Sequence, residues 1–334
     1  MRFASAPSRR EFLKAGALAF VAGACTRPPY DPRRFAHPST SPVLIASAPH
    51  YEIDVADLIY RSLRELRVDV TGRSVLLKPN LVEFQPGSPI NTDPRVVVGA
   101  ASALLRAGAS RVVVGEGPGH RRDIEYLLEV TGLATLLHDE RLTFTDLNHD
   151  DVEMVELASH FTGMRQLALP VEVLAADLVV SMPKLKTHHW AGLTASMKNL
   201  FGVVPGAVYG WPKNLLHFRG IPNSIVDLAA TIRPALAIVD GIVGMEGDGP
   251  IMGKARELGC LVLGTDVVAV DATCAHLIGM DPSGIDYLAM AGGFLGNLRE
   301  TSIEQRGELI ARFATRFEPP PQAQPGKSSR DGGV

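Results

Sequence analysis

Lysine is scarce in this sequence. Eight of its 33 basic residues are lysine and the other 25 are arginine, so arginine is the ordinary source of positive charge. At a solvated surface the two residues are nearly interchangeable, but only lysine offers a compact ammonium whose pKa falls on burial, or a nucleophilic amine. Three lysines nevertheless fall within fifteen residues, Lys184, Lys186 and Lys198, together with His188 and Asn199. The cluster therefore indicates a chemical requirement.

Cysteine is scarcer still, with three residues, Cys25, Cys260 and Cys274. None has the CxxC spacing of iron–sulfur and zinc-ribbon sites, so no iron–sulfur cluster is expected. The same three positions argue against a disulfide framework. Cys260 lies inside an apolar run and Cys274 in a helical pattern, so both are expected to be buried apolar residues and not nucleophiles.

A strong charge imbalance is also missing. The net charge is −3, with 46% hydrophobic and 21% charged residues, which is typical of a globular protein and argues against nucleic-acid binding. The chain has no GxSxG elbow and no P-loop. The glycine-rich stretch at 115–119 lacks GxGxxG spacing and does not open a capped helix, so it does not predict a dinucleotide-binding turn.

The N-terminus has the pattern of an export signal. Arg9 and Arg10 precede an apolar run at 15–24, which is shorter than the roughly 20 residues that a membrane span needs. This pattern predicts export by the twin-arginine translocase to the periplasm or the outer face of the membrane. Two outcomes stay open: cleavage after Ala24, or lipidation of Cys25, which would supply the only membrane attachment expected.

Proline-rich segments flank one folded unit. Residues 25–41 and 318–334 lack hydrophobic periodicity and are predicted to be a tether and a disordered tail. Residues 42–317 are predicted to form the α/β domain, divided into halves at 42–175 and 176–317.

Apolar runs alternate with amphipathic stretches in this unit. Six runs predict buried strands, at 42–48, 74–78, 111–117, 177–183, 235–241 and 260–266. The clearest helical pattern follows Asp93 as a cap, with Pro94 in the first turn and Gly108 after the last. The alternation predicts an α/β fold with a mainly parallel sheet covered by helices.

Polar residues follow the predicted strands at their carboxyl ends. They are Lys78 with Asn80, Glu116, Lys184 with Lys186, Asp240 and Asp266. Ligands of open α/β sheets bind beyond these strand ends, where loops from different strands converge. We therefore expect these side chains to face one cleft.

Five stretches in order resemble the family catalogued as domain of unknown function 362: "LLKPNLV" (76–82), "VVVGEGPG" (112–119), "ADLVVSMPKLKTHHWAGLTASMKNLFGVVPG" (176–206), "IVDGIVGMEGDGPIMG" (238–253) and "GTDVVAVDATCAHLIGMDP" (264–282). The resemblance covers most of 42–293 and implies little about activity. Some relatives carry a ferredoxin module with clustered cysteines. This chain lacks those cysteines, so a redox role is not carried over. A likeness of chemistry, without matching motifs, is to nickel-pincer lactate racemases, whose cofactor pocket combines a lysine with histidines.

The lysines predict an anion site. Lys78, Lys184, Lys186 and Lys198 around one cleft would repel one another unless an anionic ligand or nearby carboxylates compensated their charge. Glycine-rich turns such as the one at Gly117 add backbone donors that suit a phosphate or carboxylate. The alternative is that Lys184 and Lys186 alternate after a strand, point to solvent and pair with surface acids.

His188 and His217 are the histidines predicted to transfer protons or bind metal, because neutral imidazole suits both tasks. His189 is expected to point elsewhere, and the alternative for either of the first two is a structural role. The predicted catalytic residues are His188, Lys184 and Lys198. The predicted substrate- or cofactor-binding residues are Lys78, Asn80, Glu116, Gly117, Lys186, Asn199 and His217.

Carboxylates on glycine-rich turns predict a divalent-metal site at Asp240, Glu246 and Asp266. The spacing of these carboxylates is not that of an EF-hand loop. Asp266 has a second interpretation as the N-cap of a helix.

These features predict an exported enzyme of unidentified reaction. Its cleft would bind a small phosphate- or carboxylate-bearing substrate or cofactor, with a divalent metal as a further option. A carbonyl-reactive lysine is one variant, because a buried amine among other cations has a lowered pKa. The alternative is a non-catalytic tethered protein of the cell envelope that captures a metal or an anion, and lipidation at Cys25 would favour it.

Overall fold

The computed structural model describes residues 28–119 and 123–321. The predicted export signal at 1–24, Cys25 and the tail from residue 322 onward lie outside this range. Within it the chain folds around one large sheet. The strands of the described residues are β1 Ser41–Ser47, β2 Ser74–Pro79, β3 Arg111–Glu116, β4 Thr143–Asp146, β5 Val152–Glu156, β6 Gln166–Pro170, β7 Leu178–Met182, β8 Lys184–His188, β9 Gly192–Thr194, β10 Leu236–Glu246, β11 Lys254–Gly264 and β12 Ile303–Gly307. The strands β5 and β6 pair with each other in a separate two-stranded sheet, and the other ten form the large sheet.

The helices lie between and after these strands. They are α1 Val55–Glu65, α2 Pro94–Arg106, α3 Ile124–Val130, α4 Leu133–Asp139, α5 Val171–Ala175, α6 Ser196–Asn199, α7 Gly206–Tyr209, α8 Asn214–Phe218, α9 Ile221–Ile232, α10 Val267–Leu277, α11 Asp286–Ala291 and α12 Ile310–Phe313. The strongest sequence signal is confirmed at α2, where the Asp93 side chain accepts from Arg95 N and Pro94 occupies the first turn.

The sheet has the strand order β12-β1-β11-β10-β7-β2-β3-β4, with β8 pairing with β10 and β9. The run β10-β7-β2-β3-β4 is parallel throughout. The antiparallel pairings are those of β11 with β1 and β10, and of β8 with β9. The predicted mainly parallel α/β fold is confirmed. Strands from the two predicted halves share this one sheet, since β1 lies between β11 and β12.

Side-chain alternation along the strands feeds two apolar cores, one on each face. Ile45 and Leu76 point to the face covered by α9 and α10. Their neighbours Leu44 and Leu77 point to the opposite face, covered by α1 and α2. Successive residues of a strand project to opposite sides, so continuous apolar runs mark strands buried on both faces.

Two aromatic residues of the segment predicted as a tether, Tyr30 and Phe35, pack against the folded unit. Tyr30 stacks on Phe294 with ring centroids 4.0 Å apart, and Phe35 meets the same ring edge-on at 4.8 Å. Phe35 is buried. Sequence periodicity did not reveal these contacts, because isolated aromatic residues in a proline-rich segment carry no period, yet they still bury apolar area.

Lys184 and Lys186, which were predicted to follow a strand, lie within a further strand of their own. β8 follows β7 after a single proline, and all five of its residues are buried. Because side chains alternate along a strand, Lys184, Lys186 and His188 share one face, and Leu185 packs into the apolar core. The alternative that Lys184 and Lys186 point to solvent is therefore wrong.

Candidate functional site

A cavity of about 350 Å³ opens at the carboxyl ends of β2 and β3. We call it the lysine chamber. Its polar lining residues are Lys78, Asn80, Glu116, Lys186, His188, His189, Thr194, Lys198, Asn199, Lys213, His217 and Asp248. Gly117 lines it as well, so every residue predicted for catalysis or binding except Lys184 faces this space. The convergence follows from the parallel order of β2, β3 and β7, whose carboxyl ends meet at one edge of the sheet.

The floor of the chamber is an ion pair. Lys78 Nζ lies 2.8 and 2.7 Å from the two oxygens of Glu116, and it also donates to Asn199 Oδ1 at 3.1 Å. Both partners are buried. The Glu116 carboxylate accepts further bonds from Leu81 N and Gly117 N. Burial lowers the pKa of Lys78 and the carboxylate opposes that shift.

This pair depends on a missing side chain. A methyl group at Gly202 would fall onto the carboxylate oxygen of Glu116 and the amine of Lys78. Gly202 therefore allows the backbone that follows α6 to approach the pair closely. Glycine is required here for space and not for its backbone angles.

Lys186 is fully buried in the chamber wall without a carboxylate partner. Its amine donates to Ile90 O at 2.7 Å and to Pro250 O at 3.4 Å. No ion pair of Lys186 with a carboxylate occurs within the part of the chain that the structure describes. Burial, followed by the positive charges of Lys198 and Lys184, lowers its pKa well below the ordinary value.

Lys198 extends from α6 into the chamber. Its ammonium lies 4.0 Å from the centre of the Phe201 ring, a cation–π contact. Burial, followed by the charge of Lys78, lowers its pKa to about 8. It is partly exposed, so the chamber gives it access to solvent.

The single turn α6 is held by a buried carboxylate of α10. Asp271 accepts from Ser196 N at 2.7 Å and from Met197 N at 3.0 Å, which satisfies the free amides at the start of the turn. Burial raises the pKa of Asp271 to about 7, although these donors oppose the shift. This tie fixes the position of Lys198 and Asn199.

Lys213 is a chamber residue that sequence analysis missed. Its amine donates to Asn148 Oδ1 at 3.1 Å and to two backbone carbonyl oxygens, those of Gly202 and Val204. Burial lowers its pKa to about 7. Its backbone is left-handed, with φ of 69°, which a single sequence does not reveal. The scarcity of lysine was the available signal, and it applied equally to this residue.

The histidines have distinct positions. His188 Nδ1 accepts from Trp190 N at 3.1 Å and Ala191 N at 3.3 Å. Two amide donors require an unprotonated Nδ1, so the neutral ring carries its proton on Nε2. Burial, then the charge of Lys198, lowers the pKa of His188 well below its ordinary value. His188 is therefore a neutral hydrogen-bond donor through Nε2–H.

His217 and His189 stand nearer the mouth. The His217 ring lies edge-on to Trp190, with centroids 5.6 Å apart. His189 was expected to point elsewhere, but it lines the same chamber, where its Nδ1 lies 3.4 Å from Asp248 Oδ1. The adjacent residues His188 and His189 thus both line the chamber, because β8 ends at His188 and the chain then turns along the edge of the cavity.

Two buried polar atoms of the lining have no hydrogen-bond partner in the described residues: Asn80 Oδ1 and Thr194 Oγ1. The two side chains are 8% and 4% exposed. A buried polar atom without a partner costs about 1–3 kcal/mol, so each atom is an unsatisfied hydrogen-bonding position in the lining. Asn80 Oδ1 accepts only, and thus selects a donor.

Lys184 and Asp240 form a separate buried pair outside the chamber. Lys184 Nζ lies 2.5 Å from Asp240 Oδ2 and 2.7 Å from Tyr51 OH. Asp240 also accepts from Asp93 N at 3.0 Å. The pair ties β8 and β10 to the start of α2. The predicted catalytic position of Lys184 is corrected accordingly, because its amine is fully engaged elsewhere.

The predicted metal ligands do not come together. Asp240 is held by Lys184, and Asp266 caps α10 by accepting from Val268 N at 2.9 Å, its second interpretation at the sequence level. Glu246 accepts from Glu318 N at 3.1 Å. Across residues 28–119 and 123–321, no group of three or more His, Cys, Asp or Glu side chains is arranged to hold a metal ion. This grouping is corrected.

Known proteins resemble the chain to different degrees. A family model described as a domain of unknown function (DUF362) matches residues 75–276. A thylakoid-associated protein of Synechocystis sp. is 34% identical over 231 residues, which cover 65% of this chain and 67% of that protein.

Two solved structures are also similar. One is the lactate racemase apoprotein from Thermoanaerobacterium thermosaccharolyticum, with a TM-score of 0.41, 14% identity, and coverage of 67% of this chain and 56% of that one. The other is a protein from Thermotoga maritima, with a TM-score of 0.40, 12% identity, and coverage of 69% and 59%. The chain thus spans less than two thirds of either solved protein.

Length and hydropathy distinguish the described helices from membrane spans. Across residues 28–119 and 123–321, none is both long enough and apolar enough to pass through a bilayer.

Proposed function

The chain belongs to the family described as domain of unknown function 362. We propose that this family member is an exported enzyme that binds a small organic acid in the lysine chamber. The acid group is a carboxylate or a phosphate ester. The reaction class is proton transfer or carbonyl chemistry on that ligand. The proposal also includes export by the twin-arginine route, with either cleavage after Ala24 or lipidation of Cys25.

One observation carries it, the imbalance of buried charge. Four lysine amines line the chamber, and only Lys78 has a carboxylate within ion-pair distance, that of Glu116. The amines of Lys186, Lys198 and Lys213 form no ion pair among the described residues. Buried amines without counter-charge lose protons or take up an anion. A bound acid would supply the missing negative charge.

The rest of the lining supports an organic ligand over an inorganic ion. Apolar side chains form much of the wall, among them Leu81, Phe201 and Ile221, and they suit a carbon skeleton. Asn80 Oδ1 lacks a donor and Thr194 Oγ1 lacks any partner. The proposed ligand therefore carries a second polar group besides its acid group: a hydroxyl or amino group would pair with either atom, and a carbonyl oxygen would accept from Thr194 Oγ1.

His188 and the lysines divide the proposed chemistry. The Nε2–H of neutral His188 donates to a ligand oxygen and stabilises charge that develops there, as preorganised donors do in other enzymes. Lys198, with a pKa of about 8, is protonated at neutral pH and binds the acid group. Lys186, whose pKa is lowered further, supplies a neutral amine.

Removing Lys198 is expected to weaken binding. We expect Lys198→Ala to raise the Kd for malate, pyruvate or glycerol 3-phosphate by about ten- to a hundredfold, since a hydrogen bond to a charged group contributes about 1.5–3 kcal/mol. Isothermal titration calorimetry measures the change. Lys254→Ala is the matched control, because Lys254 is exposed and pairs only with Glu318 at the surface. An equal Kd in both variants, or no binding by the parent protein, contradicts the proposal.

Binding is expected to depend on pH. The pKa values of Lys198 and Lys213 are about 8 and 7, and a bound anion favours the protonated form of each amine. Affinity should therefore fall as the pH rises from 7 to 9, with proton uptake on binding. Calorimetry in buffers of different ionisation enthalpy measures that uptake. A pH-independent Kd would argue against these two amines as ligands.

The ligand-free protein should show the opposite trend in stability. Folded pKa values below the unfolded value mean that the unfolded chain binds more protons, so the free energy of unfolding rises with pH, by up to about 1.4 kcal/mol per pH unit for each proton. The clean window is pH 7 to about 8.5. Below pH 7 the raised pKa of Asp271 makes the free energy of unfolding fall as the pH rises. Above about pH 8.5 the raised pKa values of the buried thiols Cys260 and Cys274 have the same effect.

A further inference from the structure

The geometry points to Lys186 as a covalent catalyst. We propose that its amine attacks the carbonyl carbon of a small oxo acid and forms an imine. The proposal rests on the proposed function, since the other amines of the lysine chamber would hold the acid group of the same molecule. It adds to that function a substrate class and the residue that bonds to the substrate.

The hydrogen bonds of Lys186 match a neutral amine. A neutral primary amine has two N–H bonds and one lone pair. The carbonyl oxygens of Ile90 and Pro250 provide two acceptors, and the lone pair is left without a partner among the described residues. The side chain is fully buried and is one of the residues that line the cavity, so the proposed attack takes place at the cavity wall.

Lys184 gives an internal contrast on the same strand. Only one residue separates the two lysines, and both are buried. Lys184 donates to the carboxylate of Asp240 and to Tyr51, whereas Lys186 contacts neutral carbonyl groups. Lys186 therefore lacks the carboxylate contact that would favour its ammonium form, which leaves its amine nucleophilic. Burial and the charge of Lys198 act in the same direction on the pKa of Lys186.

The step balances with groups already present. The lone pair of Lys186 forms the C–N bond as the carbonyl π electrons move to oxygen, which takes a proton from the Lys198 ammonium while His188 Nε2–H donates to it. The nitrogen loses a proton to the Lys198 amine. This carbinolamine takes a proton on its hydroxyl group from the Lys198 ammonium and loses water as the nitrogen lone pair forms C=N. Overall, amine, carbonyl and one proton give an iminium ion and water, without oxidant or reductant.

Reductive trapping tests the inference. The full-length protein is incubated with glyoxylate, pyruvate, 2-oxoglutarate or glyceraldehyde 3-phosphate, treated with sodium borohydride, and analysed by peptide mass spectrometry with fragmentation. We expect one reduced adduct, on Lys186 and not on Lys184. At pH 7.4 Lys186 should be labelled far more than an exposed lysine such as Lys254, because burial lowers the pKa of the Lys186 amine.

Variants separate this inference from the proposed function. Lys186→Arg cannot form the imine, so it should lose the adduct, while Lys254→Arg should label as the parent does. Malate binding without any Lys186 adduct, or adducts spread over exposed lysines, overturns the inference and leaves the proposed function intact. Absence of both malate binding and adduct overturns both. Fragment mapping on the parent protein decides the matter even where a variant does not fold.

Discussion

Replacing Glu116 by glutamine is expected to lower the free energy of unfolding by about 3–5 kcal/mol, the usual cost of breaking a buried ion pair from one side. Lys78 would then lie fully buried without a counter-charge. One glutamine oxygen would also have to serve Leu81 N and Gly117 N, which now bond to separate carboxylate oxygens. Urea unfolding followed by circular dichroism measures the loss.

A paired replacement provides the control. Lys78→Met combined with Glu116→Leu removes both charges, and it should recover part of the stability lost in Glu116→Gln, because two apolar groups of similar size need no counter-charge. The packing at Gly202 limits how much is recovered. An unfolding midpoint in Glu116→Gln equal to that of the parent would show that the pair does not stabilise the sheet edge.

Replacing Asp240 by asparagine is expected to cost a similar amount of stability, again about 3–5 kcal/mol, but to leave anion binding unchanged. Asp240 accepts hydrogen bonds from Lys184, Tyr51 and Asp93 N, and it lies outside the lysine chamber. Thermal unfolding together with calorimetric titration of malate separates the two effects.

The Asp240 and Lys198 variants form a matched pair of opposite outcomes. Asp240→Asn should lower the melting temperature and keep the Kd, whereas Lys198→Ala should raise the Kd with a smaller change in melting temperature. If Asp240→Asn weakened binding as much as Lys198→Ala does, the two lysine sites would have to be regarded as one.

Much of the fold follows from local pattern. The runs at 42–48 and 74–78 and the capped helix after Asp93 were predictable, because apolar alternation and an N-cap act within a few residues. The strand β8 was not, because its residues are mostly polar and its burial arises from pairing with β10, which is distant in sequence. The same long-range pairing brings Lys184 to Asp240.

The candidate site was predictable in composition more than in geometry. Lysine scarcity and strand-end positions identified Lys78, Lys186 and Lys198, because parallel strands bring their carboxyl ends together. These signals could not distinguish Lys184 from Lys186. Both lysines lie on one face of the same strand, and they differ in the residues that pack against them. Lys213 depends on a left-handed turn and was missed.

The absence of a side chain at Gly202 has a consequence for which substitutions the protein can accept over generations. Because any substituent would displace the contact between Lys78 and Glu116, the position is closed to drift whatever molecule the protein handles. The walls that meet the ligand carry no such restriction. Descendants could thus acquire new specificities by altering those walls while this one position stays the same.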